Sequence, residues 1–331
     1  MRKILFIGGT GVISSACSQA LIDSGDELYL LTRGSSQRVP PAGAKIIRGD
    51  IRLPDEAAKL ISKHHFDAVV DWVAYTPDQV QVDLGLFRKK TSQYVFISSA
   101  SAYQTPPASL PVTESTLLDN PYWDYSRNKI ACEELLVKAY RDEKYPVTIV
   151  RPSHTYDQTL LHFHGGWSIL ERMIQGKPVI IHGDGTSLWT LTHHTDFAIG
   201  FNGLLGNSHA IGDVFHITSD EWLSWNQIYQ LLADAAGGTL VPVHIPSDFI
   251  NRLDPIWGAS LLGDKANSMV FDNAKIKRVV PGFRAEIPFA LGAKEIVEWY
   301  LSDPAHQKSD PEYMKIYERI LAAYTGVFPT I

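Results

Sequence analysis

The most constraining feature of this chain is a junction at its start. Lys3-Ile4-Leu5-Phe6-Ile7 reads as a fully buried strand, and Gly8-Gly9-Thr10-Gly11 interrupts it. Apolar residues then recur near helical spacing from Ser14 to Ser24, with Gly25 as the stop. Glycines between a strand and a helix permit a tight turn and let the backbone approach a diphosphate resting on the helix N-terminus. Such a turn alone also serves ordinary chain reversals. Its place at the first strand–helix junction of a parallel sheet carries the argument.

That sheet follows from the rhythm of the first half. Glu27–Thr32, Lys45–Arg48, Ala68–Val73, Tyr94–Ser98 and Val147–Val150 read as further strands. Helical stretches run over Leu53–His64 and Tyr125–Tyr140. Alternating strands and helices predict an α/β fold, a doubly wound parallel sheet of Rossmann type with a smaller C-terminal substrate lobe. The expected division is a dinucleotide-binding domain over 1–156, with a return to the sheet at about 196–236, and a lobe from 157–195 and 237–331. Within these, Asp213–Ile217 is a strand, Ser224–Ala236 a helix and Pro311–Tyr324 a closing helix.

Composition narrows the function. The 331 residues carry a formal net charge of -6, which offers no overall attraction to nucleic acid or anionic membranes. The apolar run after Met1-Arg2-Lys3 is too short for a secretory signal, and no stretch approaches the roughly 20 apolar residues of a membrane span. Two cysteines, Cys17 and Cys132, fit a reducing compartment, so the cytoplasm is the expected location.

The end of the second strand usually meets the adenosine ribose, where a carboxylate favours NAD and an arginine accommodates the extra phosphate of NADP. Thr32-Arg33-Gly34, with Arg38 nearby and no carboxylate, leans towards NADP over NAD. Asp50-Ile51 follows the third strand, where it is placed to hold adenine. Tyr125 and Lys129 fall four apart on one helix face. An ammonium beside a phenol lowers its pKa from about 10, which suits proton exchange with an alcohol or ketone. The serine cluster Ser98-Ser99-Ala100-Ser101 lies just past the fifth strand, at the sheet edge where ligands bind.

Together the glycine turn, Gly49-Asp50-Ile51, Asp71-Trp72-Val73-Ala74, the Ser99 segment, Tyr125-x-x-x-Lys129 and Arg151-Pro152-Ser153 resemble the extended short-chain dehydrogenase/reductase superfamily, in its NAD-dependent epimerase/dehydratase-like branch. The resemblance implies that Tyr125 is the acid/base and that Lys129 tunes it while binding the nicotinamide ribose. Ser99 would hold the substrate oxygen. Gly8, Thr10, Gly11, Val12 and Ile13 would cradle the pyrophosphate, Asp50 and Ile51 would face adenine, and Val73 and Ala74 would line the cofactor path with backbone. Pro152 and Ser153 would lie near the nicotinamide. Dimerisation through the Tyr125 helix is common in the superfamily, so a homodimer is a candidate assembly.

Departures refine the chemistry. The Asp-Glu pair of the branch's dehydratases is Ala100-Ser101 here, which disfavours dehydration and leaves epimerisation or simple reduction. Trp189 stands where nucleotide-sugar enzymes carry an arginine after Gly183-Asp184-Gly185, and Lys265 is the nearest second cation. A diphosphate binds poorly without cations, so a small hydroxylated molecule, a sugar or sugar derivative, is expected instead. Ser101, His154, Trp189 and His193 are its candidate contacts. Trp167, Trp222 and Trp225 read mainly as packing aromatics. No Cys, Asp or Glu spacing accompanies His162, His164, His193 and His194, so no metal is expected. Two readings from other classes stand beside the enzyme. Similar glycine turns occur in plastid RNA-binding proteins, and a cofactor-sensing regulator would bind NADP without turnover.

Overall fold

The computed structural model describes residues 1–326; residues 327–331 of the expected lobe lie outside the described residues. The first half contains β1 (Lys3–Ile7), α1 (Val12–Asp23), β2 (Glu27–Thr32), β3 (Lys45–Arg48), α2 (Pro54–Ile61), β4 (Ala68–Asp71), α3 (Pro77–Phe87), β5 (Tyr94–Ile97), α4 (Asp124–Glu143) and β6 (Val147–Pro152). The second half contains β7 (His154–Tyr156), α5 (Trp167–Ile174), β8 (Pro178–His182), β9 (Leu188–Trp189), β10 (Leu191–His193), α6 (His194–Leu204), β11 (Asp213–Ile217), β12 (Leu223–Ser224) and α7 (Trp225–Ala235). After these come β13 (Val241–Ile245), α8 (Ser247–Leu253), α9 (Pro255–Ser260), α10 (Ala274–Val279), α11 (Phe289–Ser302) and α12 (Pro311–Thr325).

Seven strands form one parallel sheet in the order β11-β6-β5-β4-β1-β2-β3. The expected doubly wound architecture is therefore present. Its central strands are mostly apolar because helices cover both faces. On one face Cys17 and Leu21 of α1 pack with Phe197 and Phe201 of α6. On the other, Ala57, Leu84, Cys132 and Leu136 of α2, α3 and α4 form a second cluster. The strand order reverses between β1 and β4, which opens a crevice at the carboxyl ends of those two strands.

Three details depart from the sequence reading. Helix α3 falls where the reading placed no element, because Val80, Val82, Leu84 and Leu86 alternate and mask the helical period. Helix α7 belongs with the lobe, not with the sheet return at 196–236. Its Trp225, Ile228 and Leu232 join Ile169, Leu191, Ile296 and Tyr317 in the lobe core. Conversely Ile276 of α10, inside the expected lobe, packs under the sheet beside Val280 and Phe283. Burial of each apolar stripe, not chain order, decides these memberships.

Candidate active site

A continuous trough runs over the crevice. At one end it is lined by Thr32, Arg33, Ser35, Ser36, Asp50 and Ile51. It continues over the Gly8–Ser14 turn, Val73, Tyr125, Lys129 and Pro152. There it opens into a cavity of about 300 Å³ between sheet and lobe, at the small end of ligand pockets. Tyr125, Pro152 and Ser98 line both trough and cavity.

The turn is built for close approach. Gly8 and Gly9 hold left-handed backbone at φ +95° and +107°. A Cβ on Gly9 would stand 2.6 Å from Leu30, and one on Gly8 would meet Val73 at 3.1 Å. Ser14, at the third small position, is buried, and its Oγ accepts the Gly11 N–H at 2.8 Å. It thereby satisfies one of the orphan donors of the α1 N-terminus.

Tyr125, Lys129 and the serine cluster converge where trough meets cavity. Lys129 is buried, and its Nζ donates to the carbonyls of Ala74 at 2.8 Å and Ile97 at 2.7 Å. An ammonium has three hydrogens, so one remains. Ser126 Oγ donates to Ser101 Oγ at 2.8 Å, and Ser101 Oγ pairs with Ser99 Oγ at 2.9 Å. Ser99 Oγ also accepts the Ser101 N–H at 3.2 Å. With Ser126 donating to Ser101, the relay directs the Ser101 hydrogen at Ser99 and frees the Ser99 hydrogen for another acceptor.

Electrostatics differ from the sequence expectation. Burial pushes the Tyr125 phenol up to about 12, with the Ser99 hydroxyl opposing it. Burial brings the Lys129 ammonium down to about 8, opposed chiefly by the charge of Asp71. The low-dielectric surroundings outweigh the mutual effect of phenol and ammonium. At neutral pH the pair is therefore a neutral phenol and an ammonium.

Of the candidate substrate contacts, Ser99, Ser101, His154 and Trp189 line the cavity, as does Ser153. His193 does not. It is buried, its Nδ1 pairs with Thr195 at 2.7 Å at the start of α6, and its Nε2 reaches Glu295 of α11 at 2.9 Å. For Ala74 the expectation is a backbone contact. Fully buried, it meets the site through its carbonyl alone, because Asp71 Oδ1 binds its N–H at 2.9 Å and turns it inward. Trp167 packs on Trp299 and Tyr300, Trp225 is core, and Trp222 is exposed. Among the described residues no group of three or more His, Cys, Asp or Glu is placed to hold a metal. No described helix is long and apolar enough to cross a membrane.

Sequence reading missed Trp123, His162 and Asp264, which also line the cavity. Asp264 is buried and accepts from His154 Nε2 at 2.8 Å, and Lys265 Nζ lies 3.3 Å from the same oxygen. Asp264 Oδ1, His154 Nδ1 and Trp189 Nε1 are buried without a partner. Burial keeps His154 and His162 below the usual imidazole range, so both rings are neutral at pH 7. No local motif marks Asp264; it lies in a short π-helical turn, Leu261–Lys265, far from the other site residues in sequence. Such π turns are often found at functional sites.

The profile of the NAD dependent epimerase/dehydratase family matches residues 4–86 and 80–217, well over half the chain. This chain belongs to that family. The 2'-dehydrokanamycin reductase of Streptomyces kanamyceticus is 27% identical over 289 residues, covering 85% of this chain and 80% of its own length. The chloroplast stem-loop binding protein of 41 kDa b of Arabidopsis thaliana is 26% identical, with 71% of this chain and 64% of that protein covered. The fold is shared with dTDP-glucose 4,6-dehydratase of Bacillus anthracis, solved with NAD, at a TM-score of 0.74 and 17% identity over 92% of this chain and 98% of that one. The trough suits the family's dinucleotide. Gly8 and Gly9 hold the tight left-handed turn at its floor, and the N-terminus of α1 presents donors with no acid in its first turn.

Proposed function

We propose that this family member is an NADP-preferring reductase acting on a ketone of a hydroxylated ring, a sugar or amino sugar without a nucleotide diphosphate. The observation that carries this reading is the convergence of Ser99, Tyr125 and Lys129 where trough and cavity meet.

Gly8, Thr10, Gly11, Val12 and Ile13 would hold the cofactor, with Asp50 and Ile51 at the adenine end, and the bound group would supply hydride. Ser99 donates its free hydrogen to the substrate carbonyl oxygen and holds it beside Tyr125. Tyr125, a neutral phenol at pH 7, delivers its proton to that oxygen as the carbonyl is reduced. Lys129 keeps its charge beneath the phenol and stabilises the phenolate left behind. Ser101 orients Ser99 through the serine relay.

The cavity supports the substrate class. Its lining includes Lys265, already 3.3 Å from Asp264, and no arginine. Trp189 occupies the wall instead. Unpaired Asp264 Oδ1 and His154 Nδ1 suit hydroxyl or amine donors. The reductase named above, at 27% identity, is consistent with this class. Arg33, 69% exposed at the rim of the trough, is the residue offered to the 2'-phosphate of NADP.

The test is consumption of NADPH by the purified chain with keto-sugars and keto-amino-sugars, with mass analysis of the product. Net NADPH loss with formation of an alcohol supports the reading. Stereochemical inversion without net cofactor change would replace it with epimerisation. Salt-sensitive retention of stem-loop RNA without turnover would move the assignment to the RNA-binding class.

A further inference from the structure

Linked to Lys129 through Ala74 lies a pair of acids that the chemistry above leaves unused. Asp71 ends β4 and Asp83 lies in α3; both are fully buried. Asp71 Oδ1 accepts the N–H groups of Val73 at 2.6 Å and Ala74 at 2.9 Å. Asp83 Oδ2 accepts the Tyr94 phenol at 2.8 Å. The remaining oxygens, Asp71 Oδ2 and Asp83 Oδ1, have no other partner, and the two carboxyls are in hydrogen-bonding contact.

Two carboxylates cannot share a dry contact as anions, whereas one proton between them satisfies both orphan oxygens. The donors decide where it resides. Asp71 collects two backbone N–H groups, which favour an anion, while Asp83 has a single phenol. Burial and the neighbouring Asp71 push the Asp83 carboxyl far above the usual range.

The other charged or titratable groups around the cluster are Arg52, Glu133, Cys132 and Tyr145. Arg52 Nη2 donates to the Val73 carbonyl and to Gln79 Oε1 at 3.0 Å, while its Nη1 is buried without a partner and its charge acts on Asp83. Glu133 is bound by Arg151 Nε at 2.9 Å. Cys132 and Tyr145 are pushed up by burial and stay neutral. Asp71 therefore remains as the counter-charge for Lys129, whose own hydrogen bonds go only to carbonyls.

We propose that Asp71, kept a lone anion by a protonated Asp83, is the positioning residue for Lys129. It acts twice: its charge holds the ammonium in a buried site, and its grip on the Val73–Ala74 turn aims the Ala74 carbonyl at Nζ. The inference rests on the reading of Lys129 as the partner of Tyr125, but its test does not need turnover.

The test is a pH titration of Lys129 in the full chain by 13Cε-lysine NMR, with the resonance assigned through Lys129→Arg. Asp83→Asn mimics the neutral acid, donating to Asp71 and accepting from Tyr94, and leaves the Lys129 midpoint within about half a pH unit. Asp71→Asn keeps the shape and removes the charge, and lowers the midpoint by about one unit or more. An unmoved midpoint in Asp71→Asn, or an equal drop in Asp83→Asn, overturns the proposal. If Asp71→Asn fails to fold, Asp83→Asn decides alone: a shift beyond one unit refutes it. Absence of ketone reduction by the wild type would overturn the functional reading and leave this titration interpretable.

Discussion

Tyr125 and Lys129 stand one turn apart on α4, with the Lys129 nitrogen 5.8 Å from the centre of the Tyr125 ring. The ammonium gives hydrogen bonds to two carbonyls of the sheet edge, at Ala74 and Ile97. The phenol lines both trough and cavity. Lysine is thus anchored to the sheet while tyrosine faces the trough and the cavity.

Tyr125→Phe removes the proton donor and keeps the ring. Turnover falls by about 10²–10⁴-fold, the range for a positioned acid/base. Cofactor affinity measured by calorimetry changes by less than about threefold, because the ring packing is retained. Wild-type turnover in this variant would contradict the assignment.

The lowered Lys129 value gives a pH dependence with a definite sign. The ammonium is lost as pH rises through about 8, so kcat/KM for reduction is level below that pH and declines above it. Tyr125, at about 12, keeps its proton across the same window. A profile measured from pH 6 to 10 checks this, and a rate still level at pH 10 would disagree.

Stability carries the same signature. Between about pH 8 and the ordinary lysine value the unfolded chain binds the proton that the folded chain lacks, so unfolding free energy rises with pH. The Lys129 contribution amounts to about 2 kcal/mol between pH 8 and 9.5. Urea unfolding at several pH values shows this rise in wild type, and it is missing from Lys129→Met.

Arg33→Ala tests the phosphate assignment. Losing one charge-assisted contact at an exposed rim weakens NADPH binding by about tenfold and changes NADH binding by less than about twofold. Equal losses for both cofactors would make Arg33 a general surface charge.

Asp264→Asn tests the cavity wall. A hydrogen bond to a charged group contributes about 1.5–3 kcal/mol, so kcat/KM for a hydroxylated or amino ketone drops by about 10–100-fold, mostly through KM. Cofactor affinity stays unchanged, since Asp264 lines the cavity and not the trough.

The sequence by itself determined the features that are local in the chain. A buried strand ending in Gly8–Gly11, the strand–helix alternation and the four-residue spacing of Tyr125 and Lys129 are written in short-range pattern, and all of them reappear in the structure. Helix α3 escaped because its apolar residues alternate, a pattern that a strand shares. Only the tertiary structure decided which polar residues meet. His193 was drawn to Glu295, 102 positions away, and left the cavity. His154 was joined to Asp264 across 110 positions and stayed in it. Charge state was settled in the same way. Spacing alone predicts a phenol lowered by its lysine, but burial opposes both charges and reverses that shift. Desolvation and long-range contact depend on what the whole chain packs around a residue, and no window of neighbours contains that information.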